Sequence, residues 1–277
     1  MNMTKRITIF GAAFVLIQFL GGSALAEKID ECNTDTCINY FEQYRKAAKR
    51  GHSLAMLTLG QFYHHGYGTP KNEKMALKFF KKAARAGYTS AQFKAGYIYM
   101  TSKDLQDLDK AQDYLEKAAK YEYDGADFLL GMMYLDEKYG VQDLAKADNH
   151  FANAYQRKHE QLPNVVKFIN AKYESPDKAF PELYSLLNQK PLVTNENGEL
   201  AWYDDGVEVI TITSPPLQTT FNRQLVTFRK AIKSTGTRFK GKTCVERLTC
   251  LQRAEIADAT DFRHLFLDGF SGNAYAQ

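Results

Sequence analysis

The sequence predicts a mainly α protein: an α-solenoid of helix-turn-helix repeats, followed by a small α+β module at the C-terminus. Three observations lead there. Ala55, Ala91 and Ala126 recur at intervals of 36 and 35 residues, and Gly60, Gly96 and Gly131 and then Tyr63, Tyr99 and Tyr134 follow the same intervals. Ala76, Ala111 and Ala147 recur at 35 and 36, and the pair Ala47-Ala48 returns as Ala83-Ala84 and Ala118-Ala119. Several registers sharing one period in this range mark an array of stacked helix pairs. The third observation is that this period stops after about Glu174, where Pro, Asn-Gly and Asp-Gly punctuation takes over.

Composition agrees. The 277 residues are 44% hydrophobic and 25% charged, enough apolar material for one or two cores. That balance excludes intrinsic disorder, collagen-like sequence and a polytopic membrane protein. The net charge of +4 excludes a polyanion-binding chain as a whole. Four cysteines are too few for a disulfide-scaffolded mini-protein or a string of zinc modules.

Residues 1–26 read as a secretory signal. Lys5 and Arg6 form a positive start, Ile7 to Leu20 is an apolar run too short to span a bilayer comfortably, and small residues at Ala24 and Ala26 define a cleavage site. The mature chain is expected to begin at Glu27, with no transmembrane segment and a periplasmic location. Export permits disulfides. Cys32 with Cys37, and Cys244 with Cys250, read first as two local bridges, although four cysteines allow three connectivities. Neither pair has the Cys-x-x-Cys spacing that favours redox chemistry.

The solenoid is expected over residues 27–174. In its first full unit, Ala55, Leu59 and Tyr63 lie four apart on one helix face. Gly66, Gly68 and Pro70 break that helix. A second begins near Asn72, carries Ala76, Phe79, Phe80, Ala83 and Ala84, and ends at Gly87 as a C-cap glycine would end it. Small residues let the two helices approach, while Phe79 and Tyr63 fill the gaps. A single pair cannot bury both faces, so the stable unit is the array.

The pattern Ala55-x3-Leu59-Gly60-x2-Tyr63-x2-Gly66-x-Gly68, followed by Ala76-x2-Phe79-Phe80-x-Lys82-Ala83-Ala84-x2-Gly87, resembles a Sel1-like repeat, a relative of the tetratricopeptide repeat, in an exported bacterial member of that family. Three units share it: 52–87, 88–122 and 123–158. A half-unit, 41–51, precedes them, and 159–174 reads as a degenerate capping helix pair. The second unit lacks the Gly-x-Gly turn between Thr101 and Asp107, and the third has Lys158 where a terminal glycine is expected. The resemblance implies a non-enzymatic adaptor that binds a protein or peptide.

Solenoids present an inner surface lined by the first helix of each pair. Two columns there, Gln61, Tyr97 and Met132, then His64, Met100 and Leu135, are the expected partner-binding groove, since Met and Tyr anchor adaptable surfaces. The Leu57, Phe93 and Phe128 column is expected to pack against the second helices instead.

Residues 175–189 read as a linker with a short helix from Phe180 to Gln189. Residues 190–277 read as the α+β module. Leu192 to Thr194, Leu200 to Tyr203 and Val207 to Thr213 are short strands around Asn197-Gly198 and Asp204-Asp205-Gly206 turns. Ser214-Pro215-Pro216 opens a helix with an apolar stripe of Leu217, Phe221, Leu225, Phe228 and Ile232. Two further helices are expected around Val245 to Ile256 and Asp261 to Leu267. A basic patch of Arg223, Arg229, Lys230, Lys233, Arg238, Lys240 and Lys242 suits an anionic envelope component or an acidic protein. The other reading is a solvated helix face neutralised by Asp204, Asp205, Glu208, Asp258 and Asp261. No nucleic-acid motif, nucleophile elbow, phosphate loop or metal-binding His-Glu-x-x-His occurs. No cofactor, metal or catalytic residue is therefore expected. The competing functional reading is an envelope enzyme or ligand-binding protein with its site at Trp202 to Glu208.

Overall fold

The computed structural model describes residues 29–140, 142–195, 198–203 and 216–229. The expected signal segment, the third strand of the meander and the last two helices lie outside the described residues.

Helices α1 (Asp35–Lys49), α2 (Ser53–His65), α3 (Glu73–Arg85), α4 (Thr89–Thr101), α5 (Leu108–Ala119), α6 (Asp124–Leu135) and α7 (Leu144–Gln156) follow one another, each packed on the next. A 3-10 turn, Glu137–Tyr139, joins α6 to α7. The three hairpins are α2–α3, α4–α5 and α6–α7, and α1 is the half-unit before them. Residues 159–174 hold one helix, α8 (Leu162–Lys172), where a capping pair was expected. Helices α9 (Pro176–Ala179) and α10 (Pro181–Gln189) bring the chain back onto α7. Strands β1 (Val193–Thr194) and β2 (Leu200–Ala201) pair antiparallel, Val193 opposite Ala201, and β2 packs on α8. The last described helix is α11 (Leu217–Arg229).

The 35/36 period is visible as identical chemistry at identical places. Asn72, Asp107 and Asp143 cap the second helices, their side-chain oxygens accepting the N–H of Met75, Lys110 and Lys146 at 2.9, 3.1 and 3.1 Å. The N–H groups of the same three residues donate to the carbonyls of Tyr63, Tyr99 and Tyr134 at 2.7, 2.9 and 2.9 Å. The hairpin loop is thus closed at the same two atoms in each unit, with or without the Gly-x-Gly turn.

The second helices also end alike. Gly51, Gly87, Glu122 and Lys158 all adopt the left-handed conformation, with φ of 96, 94, 56 and 53°. The next N–H in each case, at His52, Tyr88, Tyr123 and His159, returns to the carbonyl of Ala47, Ala83, Ala118 and Ala154 at 3.0–3.3 Å, closing a Schellman-type cap. The third unit needs no glycine at its end because the cap geometry is imposed on Lys158, against the local cost of a left-handed side-chain residue.

Between these caps, the helices of each hairpin touch through a glycine. A Cβ added at Gly60, Gly96 or Gly131 would stand 2.6, 2.7 or 2.5 Å from Phe80, Leu115 or Phe151, all three of which are fully buried. Beside each contact lies a ring pair: Tyr63 on Phe79, Tyr99 on Tyr114 and Tyr134 on His150, with centroids 5.8, 5.9 and 5.8 Å apart.

The N-terminus is stapled to the first loop. Cys32 and Cys37 form the expected disulfide across the start of α1, where Thr34 is the N-cap. Cys32 donates to the carbonyl of Gly66 at 3.2 Å and accepts from Gly68 N–H at 2.6 Å. Cys244 and Cys250 lie outside the described residues.

Two substitutions test this account by urea denaturation. Gly131→Ala should destabilise by about 1–3 kcal/mol through overpacking against Phe151; an unchanged midpoint would show that the helices are free to part. Glu122→Gly should stabilise by about 0.5 kcal/mol, the relief of left-handed strain exceeding the added freedom of the unfolded chain; a loss of stability would remove the strain argument.

Candidate functional site

The first and second helices of the hairpins differ in how they are covered. Helices α3, α5 and α7 bury a stripe and leave a charged or polar face in water. Helices α2, α4 and α6 are buried nearly all round. That alters the expected groove. Gln61 and Met100 are fully buried, and Met132 and Leu135 are only 2% and 1% exposed. These four are core residues and offer no open wall to a partner. For Met100 and Leu135 the covering is explicit: the loops fold back, and the amides of Gln106 and Gln142 donate to their carbonyls at 3.1 and 2.9 Å. His64 and Tyr97 are half-buried. The ring of His64 meets that of its neighbour His65 edge-on with centroids 4.9 Å apart. Burial first, then the charge of Lys94, push the His64 pKa down to about 4, so its imidazole is neutral at pH 7.

Phe93 and Phe128 are buried as expected, with partners beyond their own hairpins. Phe93 packs on Tyr123 at 4.9 Å and against Gly125 of the next unit, and Phe128 stacks on His159 at 4.1 Å. This column joins one hairpin to the next. Leu57 is buried too.

Helix α11 lies against α1 and α2. Phe221 meets the rings of Tyr40, Tyr44, Phe62 and Tyr67 at 5.2–5.6 Å, and Phe228 meets those of Tyr44 and His52. Gln224 accepts hydrogen bonds from Tyr44 at 2.6 Å and Thr58 at 3.4 Å, and Tyr40 donates to Asn222 at 3.0 Å. Tyr44 occupies the register of Phe80, Leu115 and Phe151, 36 residues before the first of them. Among the described residues the half-unit starts with a second helix, and α11 covers the face that a first helix covers in the other units. Burial, with Tyr40 and Tyr67 nearby, raises the Tyr44 pKa, so it remains a hydrogen-bond donor throughout the physiological range. Of the basic patch, Arg223 and Arg229 sit exposed on α11. Lys230, Lys233, Arg238, Lys240 and Lys242 lie outside the described residues.

The region named in the enzyme reading is described only to Tyr203. Trp202 is half-buried; its indole N–H donates to the His159 carbonyl at 3.2 Å and its ring packs on Tyr155 at 5.0 Å. It fastens the hairpin to the end of α7. Asp204, Asp205 and Glu208 lie outside the described residues. Among the described residues no three His, Cys, Asp or Glu side chains are placed to hold a metal ion.

Two buried carboxylates were missed by the sequence reading. Asp127 is 2% exposed and accepts from His150 at 2.9 Å and Asn153 at 3.3 Å, and it pairs with Arg157. Burial alone pushes its pKa up, yet the hydrogen bonds from His150 and Arg157 outweigh that and hold it below the usual carboxylate range. Its register holds Met56 and Gln92 in the other units, so the departure from the column was the available signal. Asp148, also 2% exposed, caps α10 from α7 by accepting the N–H groups of Glu182 and Leu183, both at 2.8 Å. Both tie elements together and neither opens onto a cleft. A third feature sits outside. Lys74, Lys78, Lys81, Lys82 and Arg85 of α3 surround a shallow depression of about 270 Å³ over Leu77. Their spacing of four, three, one and three along one helix was legible in the sequence.

A lowered folded-state pKa means that Asp127 contributes stability above the unfolded carboxylate value, and that this is lost as pH falls through the folded one. Asp127→Asn should therefore cost about 2 kcal/mol at pH 7. The gap from wild type should narrow as acid titrates the wild-type carboxylate. Urea titrations at several pH values check this, and a gap independent of pH would rule out an ionised Asp127.

Comparison with known proteins then bears on identity. The Sel1 repeat family model matches residues 53–88 and 89–120. A protective antigen of uropathogenic Escherichia coli with an SLR fold is 21% identical with a TM-score of 0.46, covering 56% of this chain and 34% of its own, so this chain spans about a third of that antigen. A Sel1 repeat protein from Oxalobacter formigenes is also 21% identical with a TM-score of 0.39, covering 47% of this chain and 97% of its own. No curated protein matches. The α6–α7 hairpin, beyond the matched residues, keeps their geometry through Gly131, Phe151 and Asp143. Residues 53–88 and 89–120 are thus two Sel1 repeats, set in an α-solenoid that continues through α7.

Proposed function

We propose that this chain is an exported, periplasmic adaptor that holds a protein partner on its solenoid and catalyses no reaction. Sel1 repeats generally serve protein–protein interaction, and proteins built from them are typically scaffolds. The observation that carries the reading is a division between frame and face. The glycine contacts, caps and ring pairs are the same in all three hairpins. The outward positions differ in every one. Lys74 and Lys78 in α3 correspond to Asp109 and Asp113 in α5 and to Ala145 and Asn149 in α7. A rigid frame whose surface residues vary independently of it is the design by which solenoids present binding surfaces.

With four of the six expected groove residues buried, the outward faces of α3, α5 and α7 carry the partner. Photo-reactive residues at Lys78 and Glu116, in cells that naturally produce the protein, should give discrete protein adducts in the envelope fraction. Failure to form an adduct from any exposed position of the three second helices would overturn the adaptor reading. N-terminal sequencing of the periplasmic chain should begin at Glu27, and an intact residue 1–26 segment on a cytoplasmic chain would overturn export.

A further inference from the structure

We infer that the outward face of α3 is the docking surface for an acidic peptide segment of the partner, with carboxylates on either side of one aliphatic side chain; this rests on the adaptor reading. Lys74, Lys78, Lys81, Lys82 and Arg85 fall on one stripe of α3, about 16 Å long at the rise of an α-helix. None of the five makes an ion pair with a described residue. The acid on the same helix, Glu73, accepts from Ser102 at 2.5 Å, so its carboxylate is engaged across the structure. The nearby Lys71 is matched to Glu31 at 3.1 Å.

This stripe opposes folding. Lys74 and Lys78, Lys78 and Lys82, and Lys81 and Arg85 are like charges four apart, an arrangement that destabilises a helix. The repeat does not require it. At the same registers α5 carries Asp109, Asp113, Glu116, Lys117 and Lys120, with Lys117 bonded to Asp113 at 2.5 Å. A helix of mixed, self-paired charge fits the same frame, so the frame does not call for the cations of α3, and no described acid is placed to match them.

The shape selects a peptide over a lipid surface. Of the apolar side chains of α3, Ala76, Leu77, Phe80, Ala83 and Ala84 are buried against the neighbouring helices and Met75 and Phe79 are half-buried, Phe79 between Tyr63 and Lys82, so the helix lacks the wide exposed apolar face with which an amphipathic helix enters a bilayer. What remains is a shallow, open depression of about 270 Å³ lined by Leu77 and the five cations, against which an aliphatic side chain can lie. Lys82 lies over the ring of Phe79 and Lys81 over that of Tyr99, at 5.6 and 5.9 Å from the centroids, so two of the ammonium groups are held in place before a ligand arrives.

The test uses the mature full-length chain and a fluorescein-labelled peptide in which two glutamates precede and two follow a leucine. Fluorescence anisotropy should show saturable binding that weakens as salt is raised. Lys78→Glu with Lys81→Glu should weaken it at least about tenfold, while Arg223→Glu with Arg229→Glu on α11 should leave it unchanged. Circular dichroism and a urea midpoint confirm that both variants are folded. Replacing the leucine by glycine should weaken binding as well. The inference is overturned by equal affinity of the α3 variant, by indifference to the leucine, or by vesicles rich in phosphatidylglycerol displacing the peptide from α3. Absence of peptide binding would overturn it too, and photo-adducts from α5 or α7 would still leave the adaptor reading standing.

Discussion

Three close approaches, Gly60 to Phe80, Gly96 to Leu115 and Gly131 to Phe151, set the distance between the two helices of every hairpin. A methyl group on any of these glycines would occupy space already taken by a ring or an isobutyl group, so the packing is tight and has one solution. Once that distance is set, the second helix must start where the Asn72, Asp107 and Asp143 caps start it. It must also stop where the left-handed residues at 87, 122 and 158 stop it. The next hairpin then leaves at the same angle as the last, and the array follows from repetition of one contact.

The frame was legible in the sequence because everything that builds it is local. Glycine, alanine and tyrosine columns at a 35/36 spacing report contacts within a hairpin, and those contacts are made by residues a few turns apart. The strain on Glu122 and Lys158 was not visible as structure, only as a missing glycine, because the Schellman-type bonds that enforce it come from the preceding alanine carbonyls. The candidate groove was read less well. Solenoid logic left Gln61, Met100, Met132 and Leu135 open, yet their burial depends on how loops fold back and on long-range packing that no period encodes. The pairing of Tyr44 with Gln224 links positions 180 apart in the chain. In the sequence, the amphipathic stripe of α11 showed only that it had a buried side, with nothing to say which surface it would cover.

That cover matters for the end of the array. An α-solenoid that begins with a lone second helix exposes the aromatic face of Tyr40 and Tyr44 and the near side of α2. Phe221 and Phe228 fill it, and Gln224 satisfies the buried hydroxyls of Tyr44 and Thr58 in the same step. The Cys32–Cys37 bridge holds the other side of α1 to the first loop. At the far end, Asp148 caps α10 and Trp202 fastens the hairpin to α7. Both ends are thus closed by side chains that bond across the seam, through the Gln224 carbonyl oxygen at one and Asp148 and Trp202 at the other.

Closing the ends and burying the first helices leaves the second helices as the outward part of the repeats, and there the three units are chemically distinct. Helix α7 is uncharged on the matching registers, with Ala145, Asn149, Asn153 and Gln156 facing out and Ala152 buried. Helix α5 balances its charges against one another. Helix α3 gathers cations around a shallow depression, at a cost in helix stability that its own acid does not relieve. Selection for folding would favour the α5 solution at every register, because the frame accepts either. Charge that no described acid matches, on one of three equivalent helices, fits a role for that helix in docking, and the solenoid's contribution is to hold the five side chains in a fixed row.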